Sequence, residues 1–364
     1  MKKQLFVLVS LIVAASMILS GCAAATPTAA PAAPAATAAP VIQVQTQIVN
    51  QVITATPAPV TAPTGGEIAV IVKTGNSGYW QNVQAGAVKA EKELRATTPK
   101  LTVTFLGAQS ESNIDEEINI VESAIDRGVK AIVLAPSDAT ALQPAVADAK
   151  KAGIPVLIID SALNGDPSQY VSFLATDNKA AGAACGKAMI DALTAAGKTT
   201  GKIQIMSYVA GAGSEIGRVG GFTDYIKANS KFTIVSPTQY SNSDMPTALN
   251  QTTNVLNANP DLVAIFGANE PTAIGMGTAI KNAKLSGKIV AIGFDGAKQE
   301  QAFIQDGTLQ AIAVQSSFNL GYLGVKDAFD IAFNNKTMPA TVDTGFLMVT
   351  KDNLDSQDAK NVLY

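Results

Sequence analysis

From Glu67 onward, short apolar runs alternate with longer segments of helical spacing. Ile68–Val72, Leu101–Leu106, Ala131–Ala135 and Val156–Ile159 are strand-length apolar runs. Between them, Trp80–Leu94 places Val83, Ala87, Ala90 and Leu94 on one helical face, and Asp115–Arg127 does the same with Ile118, Val121 and Ile125. Ala139–Ala152 is a third helical stretch, stopped by Gly153. The pattern then restarts, with helices predicted over 180–196, 218–228, 247–257, 272–284 and 321–333 and strands over 202–206, 233–236, 262–266, 289–294 and 345–349. Strands alternating with helices of ten to fifteen residues mean parallel sheets, here in two doubly wound α/β lobes.

Four apolar runs end on single polar residues. Val156–Ile159 ends on Asp160, Val263–Ala268 on Asn269, Ile289–Phe294 on Asp295, and Leu309–Val314 on Gln315. In open α/β sheets, ligands bind beyond the carboxyl ends of the strands. Carboxylates and amides fixed at such ends suit a ligand rich in hydroxyls. Asp160, Asn269 and Asp295 would equally serve as helix caps.

Ahead of this region the chain has another character. Lys2-Lys3 and the apolar stretch Leu5–Leu19 form a leader too short for a comfortable membrane span. Leu19-Ser20-Gly21-Cys22 resembles the bacterial lipobox, which implies removal of residues 1–21 as a signal peptide and a diacylglycerol on the Cys22 sulfur. Residues 22–66 then read as an anchor and an Ala/Pro/Thr-rich linker that cannot bury a core. Val41–Thr54 alternates apolar and polar residues, but a lone strand is not stable, so it stays with the linker. The expected location is extracytoplasmic, held at the cell membrane by lipid.

Composition excludes several chemistries. Charged residues are 15% of the 364, and the net charge of −3 offers no basic face to a nucleic acid. There is no histidine, which rules out Ser-His-Asp and Cys-His catalysis and removes the commonest metal ligand. Besides Cys22 the only cysteine is Cys185, set among Ala and Gly as a small buried hydrophobe. No cofactor and no metal is expected.

Motifs spread along the domain add a resemblance. Tyr79-Trp80, Leu134-Ala135-Pro136-Ser137-Asp138, Gly153-Ile154-Pro155-Val156, Ala175-Thr176-Asp177-Asn178, Arg218-Val219-Gly220-Gly221-Phe222, Gly267-Ala268-Asn269-Glu270, Val290–Gly296 and Gln315 occur in this order. In this the chain resembles the type I sugar-binding proteins of bacterial ABC importers, the ribose-binding-protein-like group. Repressors of the lactose-repressor family share the core, but no helix-turn-helix precedes it here and the leader does not suit a cytoplasmic repressor. The resemblance implies two Rossmann-like lobes joined by three crossing strands. Lobe one is expected over 67–175 plus 316–344, and lobe two over 176–315 plus 345–364.

It also implies site roles. Tyr79 and Trp80 would cover sugar faces, Asp160 and Asp295 would accept from hydroxyls, and Asn269 and Gln315 would supply amides. Arg218 would offer a donor fork from lobe two. Against these stand core packing for Trp80 and a surface salt bridge on the 218–228 helix for Arg218. Asp115, Glu116 and Glu117 read as first-turn helix charges. Three positions depart from the ribose binders: Lys73 replaces a serine, Ser161 replaces an arginine, and the second-lobe aromatic falls near Ser243, with Tyr240 three residues earlier. Lys73 is therefore expected to replace the missing arginine as donor. The ligand is expected to be an aldose or polyol other than ribose, a hexopyranose among the candidates.

The function expected is that of a monomeric, lipid-anchored solute-binding protein delivering a monosaccharide to an ABC permease and its ATPase. A sugar-sensing input for a chemoreceptor or histidine kinase is the alternative. A glycosidase would need two acids at a set spacing, and both aspartates are already explained by binding, so no enzyme activity is expected.

Overall fold

The computed structural model describes residues 65–364. The expected signal peptide, Cys22 and the linker with its 41–54 segment lie outside the described residues, apart from the last two linker positions. The chain begins with β1 (Gly66–Val72), α1 (Gly78–Leu94), β2 (Leu101–Gly107), α2 (Ile114–Asp126), β3 (Ala131–Leu134), α3 (Gln143–Lys151), β4 (Val156–Ile159) and β5 (Ser172–Ala175). It continues through α4 (Asn178–Ala195), β6 (Lys202–Ser207), α5 (Gly213–Asn229), β7 (Thr233–Ile234), β8 (Gln239–Tyr240), α6 (Met245–Ala258), β9 (Leu262–Gly267), α7 (Glu270–Asn282), β10 (Val290–Phe294), α8 (Lys298–Gln305) and β11 (Ala311–Gln315). It closes with α9 (Ser317–Asn334), β12 (Thr341–Asp343), β13 (Phe346–Thr350) and α10 (Gln357–Val362).

Among the described residues these strands make two sheets, ordered β12-β5-β4-β3-β1-β2 and β13-β11-β10-β9-β6-β7, with β8 beside β6. Ile68–Val72 and Ala131–Leu134 are wholly buried. Helices cover both faces of each sheet, which is why these strands read as unbroken apolar runs instead of alternating ones. The parallel rule has one exception: β13 runs antiparallel to β11. β12 ends at the cleft and β13 begins three residues later, so β13 enters the second sheet from its carboxyl edge and must run backwards.

The chain passes from one sheet to the other after β5, after β11 and after β12. The first and third passages are tied together: Thr344 N–H donates to the Ala175 carbonyl (2.9 Å) and Thr176 Oγ1 to the Gly345 carbonyl (3.1 Å).

Each lobe also brings two helices into backbone contact through glycines. A Cβ on Gly86 of α1 would overlap the Phe318 carbonyl of α9, and one on Gly321 would overlap that of Val83. In lobe two, Gly182 of α4 faces the Arg218 carbonyl and Gly221 of α5 faces that of Lys179. Several element boundaries differ from those the sequence predicts, the starts of α3 and α5 among them. α3 starts at Gln143, because the Asp138 carboxylate takes the N–H groups of Thr140 and Ala141 (both 2.7 Å) and holds a turn there. α5 starts at Gly213, placing Arg218 in mid-helix.

Candidate ligand-binding site

The carboxyl ends of the two sheets face each other across a cleft, and the polar strand ends meet in it. On the lobe-one side Asp160 directly follows β4 and Lys73 directly follows β1. Lys73 Nζ lies 2.8 Å from Asp160 Oδ2 and donates to Ser161 Oγ at 2.6 Å and Ser214 Oγ at 3.3 Å. Tyr79 OH donates to Asp160 Oδ1 at 2.8 Å. Burial works to raise the Asp160 carboxyl, but the charges of Lys73 and Arg218 and these hydrogen bonds hold it below its ordinary value. Ser161 sits behind Asp160, with its hydroxyl 2.8 Å from that of Ser214.

On the lobe-two side Asp295 directly follows β10. Its carboxylate accepts from Gln315 Nε2 (2.9 Å) and from the Glu270 backbone N–H (3.0 Å). Here burial wins over the nearby Arg218, and the carboxyl is pushed up to about 6. Gln315 Oε1 is buried without a partner, so one acceptor in the cleft is unspent.

Arg218 is buried, which rules out the surface salt bridge. Its Nε donates to Asn178 Oδ1 (2.7 Å) and its Nη1 to the Ala268 carbonyl (2.9 Å). The guanidinium stacks 3.9 Å from the Phe294 ring centroid. Two of its five N–H groups are thus used, and its charge acts on both aspartates. Asn269 takes the capping role: Oδ1 caps α7 by accepting from Thr272 N–H (3.2 Å), while Nδ2 donates to Ser243 Oγ (2.9 Å). Neither Asp160 nor Asp295 caps the helix that follows it in the chain, although Asp295 takes the first N–H of α7.

Tyr79 and Trp80 open α1 and are buried in the lobe-one core as well as lining the cleft. Their rings meet edge to face, 87° apart, with centroids 4.8 Å from each other. Trp80 Nε1 donates to Glu111 Oε1 at 2.8 Å.

Lys73, Tyr79, Trp80, Asp160, Arg218, Asn269, Asp295 and Gln315 therefore share one cleft, and Ser161 supports it from behind. Sequence reasoning missed Ser77, Glu111, Tyr208, Ser214, Glu270 and Pro271, which line the same space. Tyr208 supplies the cleft with a lobe-two aromatic away from the ribose-binder position, where Ser243 stands: it is 2% exposed and faces Arg218, whereas Tyr240 is 37% exposed. Tyr208 lies just past the end of β6, at a strand end like the others, but the first polar residue after that apolar run is Ser207. Glu117 takes its expected place as a first-turn acid, with a feature that its sequence position does not show. It lies in the first turn of α2, but it is buried beneath the cleft and accepts from Ser137 N–H (3.0 Å). Burial pushes its carboxyl up to about 7. The space left between the side chains is about 20 Å³, room for one water. To enclose anything larger, the lobes must part and these polar groups must exchange partners.

The comparisons agree with this architecture. Residues 68–336 match the model of the periplasmic binding protein domain family. The D-allose-binding periplasmic protein of Escherichia coli is 30% identical over 278 residues, covering 75% of this chain and 86% of that protein. An ABC transporter solute binding protein from Agrobacterium vitis, solved with bound D-fucose, is 57% identical at a TM-score of 0.78, covering 82% of this chain and all of the other. A carbohydrate transporter solute binding protein from Agrobacterium radiobacter, in complex with D-arabinose, is 34% identical with the same TM-score, covering 82% of this chain and 99% of the other. With a family match over most of its length and relatives that span its folded domain, the chain belongs to the periplasmic binding protein family.

Proposed function

We propose that the protein is the solute-binding component of an ABC importer and that its cargo is a single pyranose sugar. The observation that carries this is the meeting of Asp160 and Asp295, from opposite lobes, around Arg218 and the unspent Gln315 acceptor. A sugar ring carries hydroxyls around its rim, each able to donate to a carboxylate and accept from a cation or amide. Charge-assisted bonds of this kind are the strong ones. Tyr79, Trp80 and Tyr208 offer ring surface to the C–H faces. The group is one of binding proteins and not of enzymes. In this reading Lys73, Tyr79, Trp80, Asp160, Arg218, Asn269, Asp295 and Gln315 contact the sugar, and Ser161 holds Asp160.

The 57% identical protein was solved with D-fucose, which puts D-fucose first among the candidates. D-Galactose, which differs from it by one hydroxyl, comes next, with the D-arabinose and D-allose of two other neighbours. Lobe one is taken as 67–175 plus 316–344 and lobe two as 176–315 plus 345–364, a division supported by the sheet membership of β12 and β13. The closed form would dock as a monomer on a permease with its ATPase. Cys22 would carry the lipid that holds the protein at the membrane.

A thermal-shift screen of the folded domain against these sugars tests the reading. At a hundred times its dissociation constant, a specific ligand stabilises by about 2.7 kcal/mol. A shift with amino acids or nucleosides, and none with any sugar, would sink the sugar assignment.

A further inference from the structure

The cleft is not the only cavity between the lobes. A vestibule of about 310 Å³ adjoins it, and Ser77, Glu111, Glu270 and Pro271 face both spaces. The shared wall is stitched by two carboxylates reaching in opposite directions. Glu111, in the lobe-one loop after β2, accepts from Trp80 Nε1 with one oxygen and from Ser243 Oγ of lobe two with the other (2.6 Å). Glu270, on lobe two, accepts from the Gly78 and Tyr79 N–H groups at the start of α1 (2.9 and 2.7 Å). Ser243 is held in place at a cost. It and Asn242 are successive non-glycine residues with φ of 57° and 56°. Backbone of this kind persists only where its surroundings impose it, and it clusters at ligand clamps.

The two carboxylates are not equivalent. Glu270 is anchored to main-chain groups, and its own backbone N–H holds Asp295. Glu111 joins two side chains, lies within a loop, and is the part of the wall that a shorter residue would remove. Beyond it the vestibule offers Met245, Pro246 and Ile274 on one side and Asn76 and Gln109 on the other. That mixture suits a second sugar ring or the aglycone of a glycoside.

We propose that Glu111 is a specificity-determining residue that limits the ligand to one ring, by closing the cleft against a vestibule able to hold a glycoside's second group. This rests on reading the cleft as a monosaccharide site. A substituent pointing at this wall would have to break the Glu111–Ser243 bond and leave a buried carboxylate short of a partner, which a site of this kind penalises strongly.

The test uses the full chain, Glu111→Ala and Glu111→Gln, with calorimetric titration of D-fucose, D-galactose and the phenyl glycosides of both. Glutamine keeps the volume and can serve both Trp80 and Ser243. The expected result is that Glu111→Ala shifts the preference for phenyl glycoside over free sugar by roughly tenfold or more, while Glu111→Gln keeps the wild-type preference. An unchanged ratio in Glu111→Ala, or a wild type that binds phenyl glycosides as well as free sugar, overturns the proposal. If the wild type binds none of these sugars, the monosaccharide reading fails separately. The wall is then judged by acrylamide quenching of Trp80, the chain's one tryptophan. Greater quenching in Glu111→Ala but not in Glu111→Gln upholds it, and equal quenching in all three overturns it.

Discussion

Asp160 and Asp295 occupy matching places in the two lobes and are driven in opposite directions. Each is the first residue after a parallel strand, and each has a left-handed backbone, with φ of 64° and 83°. Only Asp160 has a lysine against it. The same fold device therefore yields one carboxylate held firmly ionised and one held near 6 by burial.

This gives a pH dependence with a definite sign. Asp295 has its folded value raised from 3.8 to about 6. Its contribution to stability is fully present below pH 3.8 and is lost as pH rises through 6. At neutral pH the buried charge weakens the domain by up to about 3 kcal/mol, because each tenfold change in proton affinity between the folded and unfolded chain is worth about 1.36 kcal/mol. Asp295→Asn should remove this slope, so that its stability relative to wild type rises between pH 4 and 7 while sugar affinity collapses. Urea denaturation at several pH values, with titration at pH 7, checks both. A relative stability that does not change with pH would refute the prediction.

Lys73 and Asp160 should be costly to separate and less costly to remove together. Breaking a buried pair by removing one partner costs about 3–5 kcal/mol, because the other charge stays buried. Lys73→Met and Asp160→Asn should each approach this loss, and the double variant should lose well under their sum. The Lys73 variant also tests its role toward ligand: unchanged affinity for the sugar found in the screen would mean that Lys73 only supports Asp160.

Neighbouring glycines on α5 should respond oppositely to the same change. Gly221 lies against the Lys179 carbonyl, so Gly221→Ala must push α4 and α5 apart at about 1–3 kcal/mol. A Cβ on Gly220 would meet no atom within 4 Å, and alanine there should stabilise the helix by roughly 0.5–1 kcal/mol. Because Arg218 lies on the same helix, Gly221→Ala should also weaken ligand binding, whereas Gly220→Ala should leave it intact. Urea midpoints and sugar titrations of the two variants check both halves.

Cys185 should be chemically silent in the folded protein. It is wholly buried, and burial raises its thiol far above the ordinary range. A thiol reagent should label it only after denaturant unfolds the domain. Labelling at native conditions, faster than global unfolding, would show that the α4 face opens locally.

The sequence carried the strand ends well, because burial on both faces makes each parallel strand a solid apolar run and the first polar residue after it conspicuous. Asp160, Asn269, Asp295 and Gln315 were legible for that reason. Lys73 and Ser161 stood out only by their departure from the family pattern. Glu111 and Glu270 were not legible: their partners are 132 residues away in one case and 192 in the other. Neither ends an apolar run, and their role exists only once the lobes face each other. The burial of Glu117 was not legible, because nothing local says that the third of three successive first-turn acids points inward. The backward course of β13 likewise depends on where β12 stops, a matter of three-dimensional arrangement with no local signal.

The three passages of chain between the sheets have a mechanical meaning. One tether would let the lobes drift and twist freely, and two would still allow rotation about the line joining them. Three, with the first and third hydrogen-bonded at Ala175–Thr344 and Thr176–Gly345, leave little besides bending about one axis. The state of the molecule is then close to a single angle. A partner that measured only the distance between two surface points, one on each lobe, would know whether the cleft was filled.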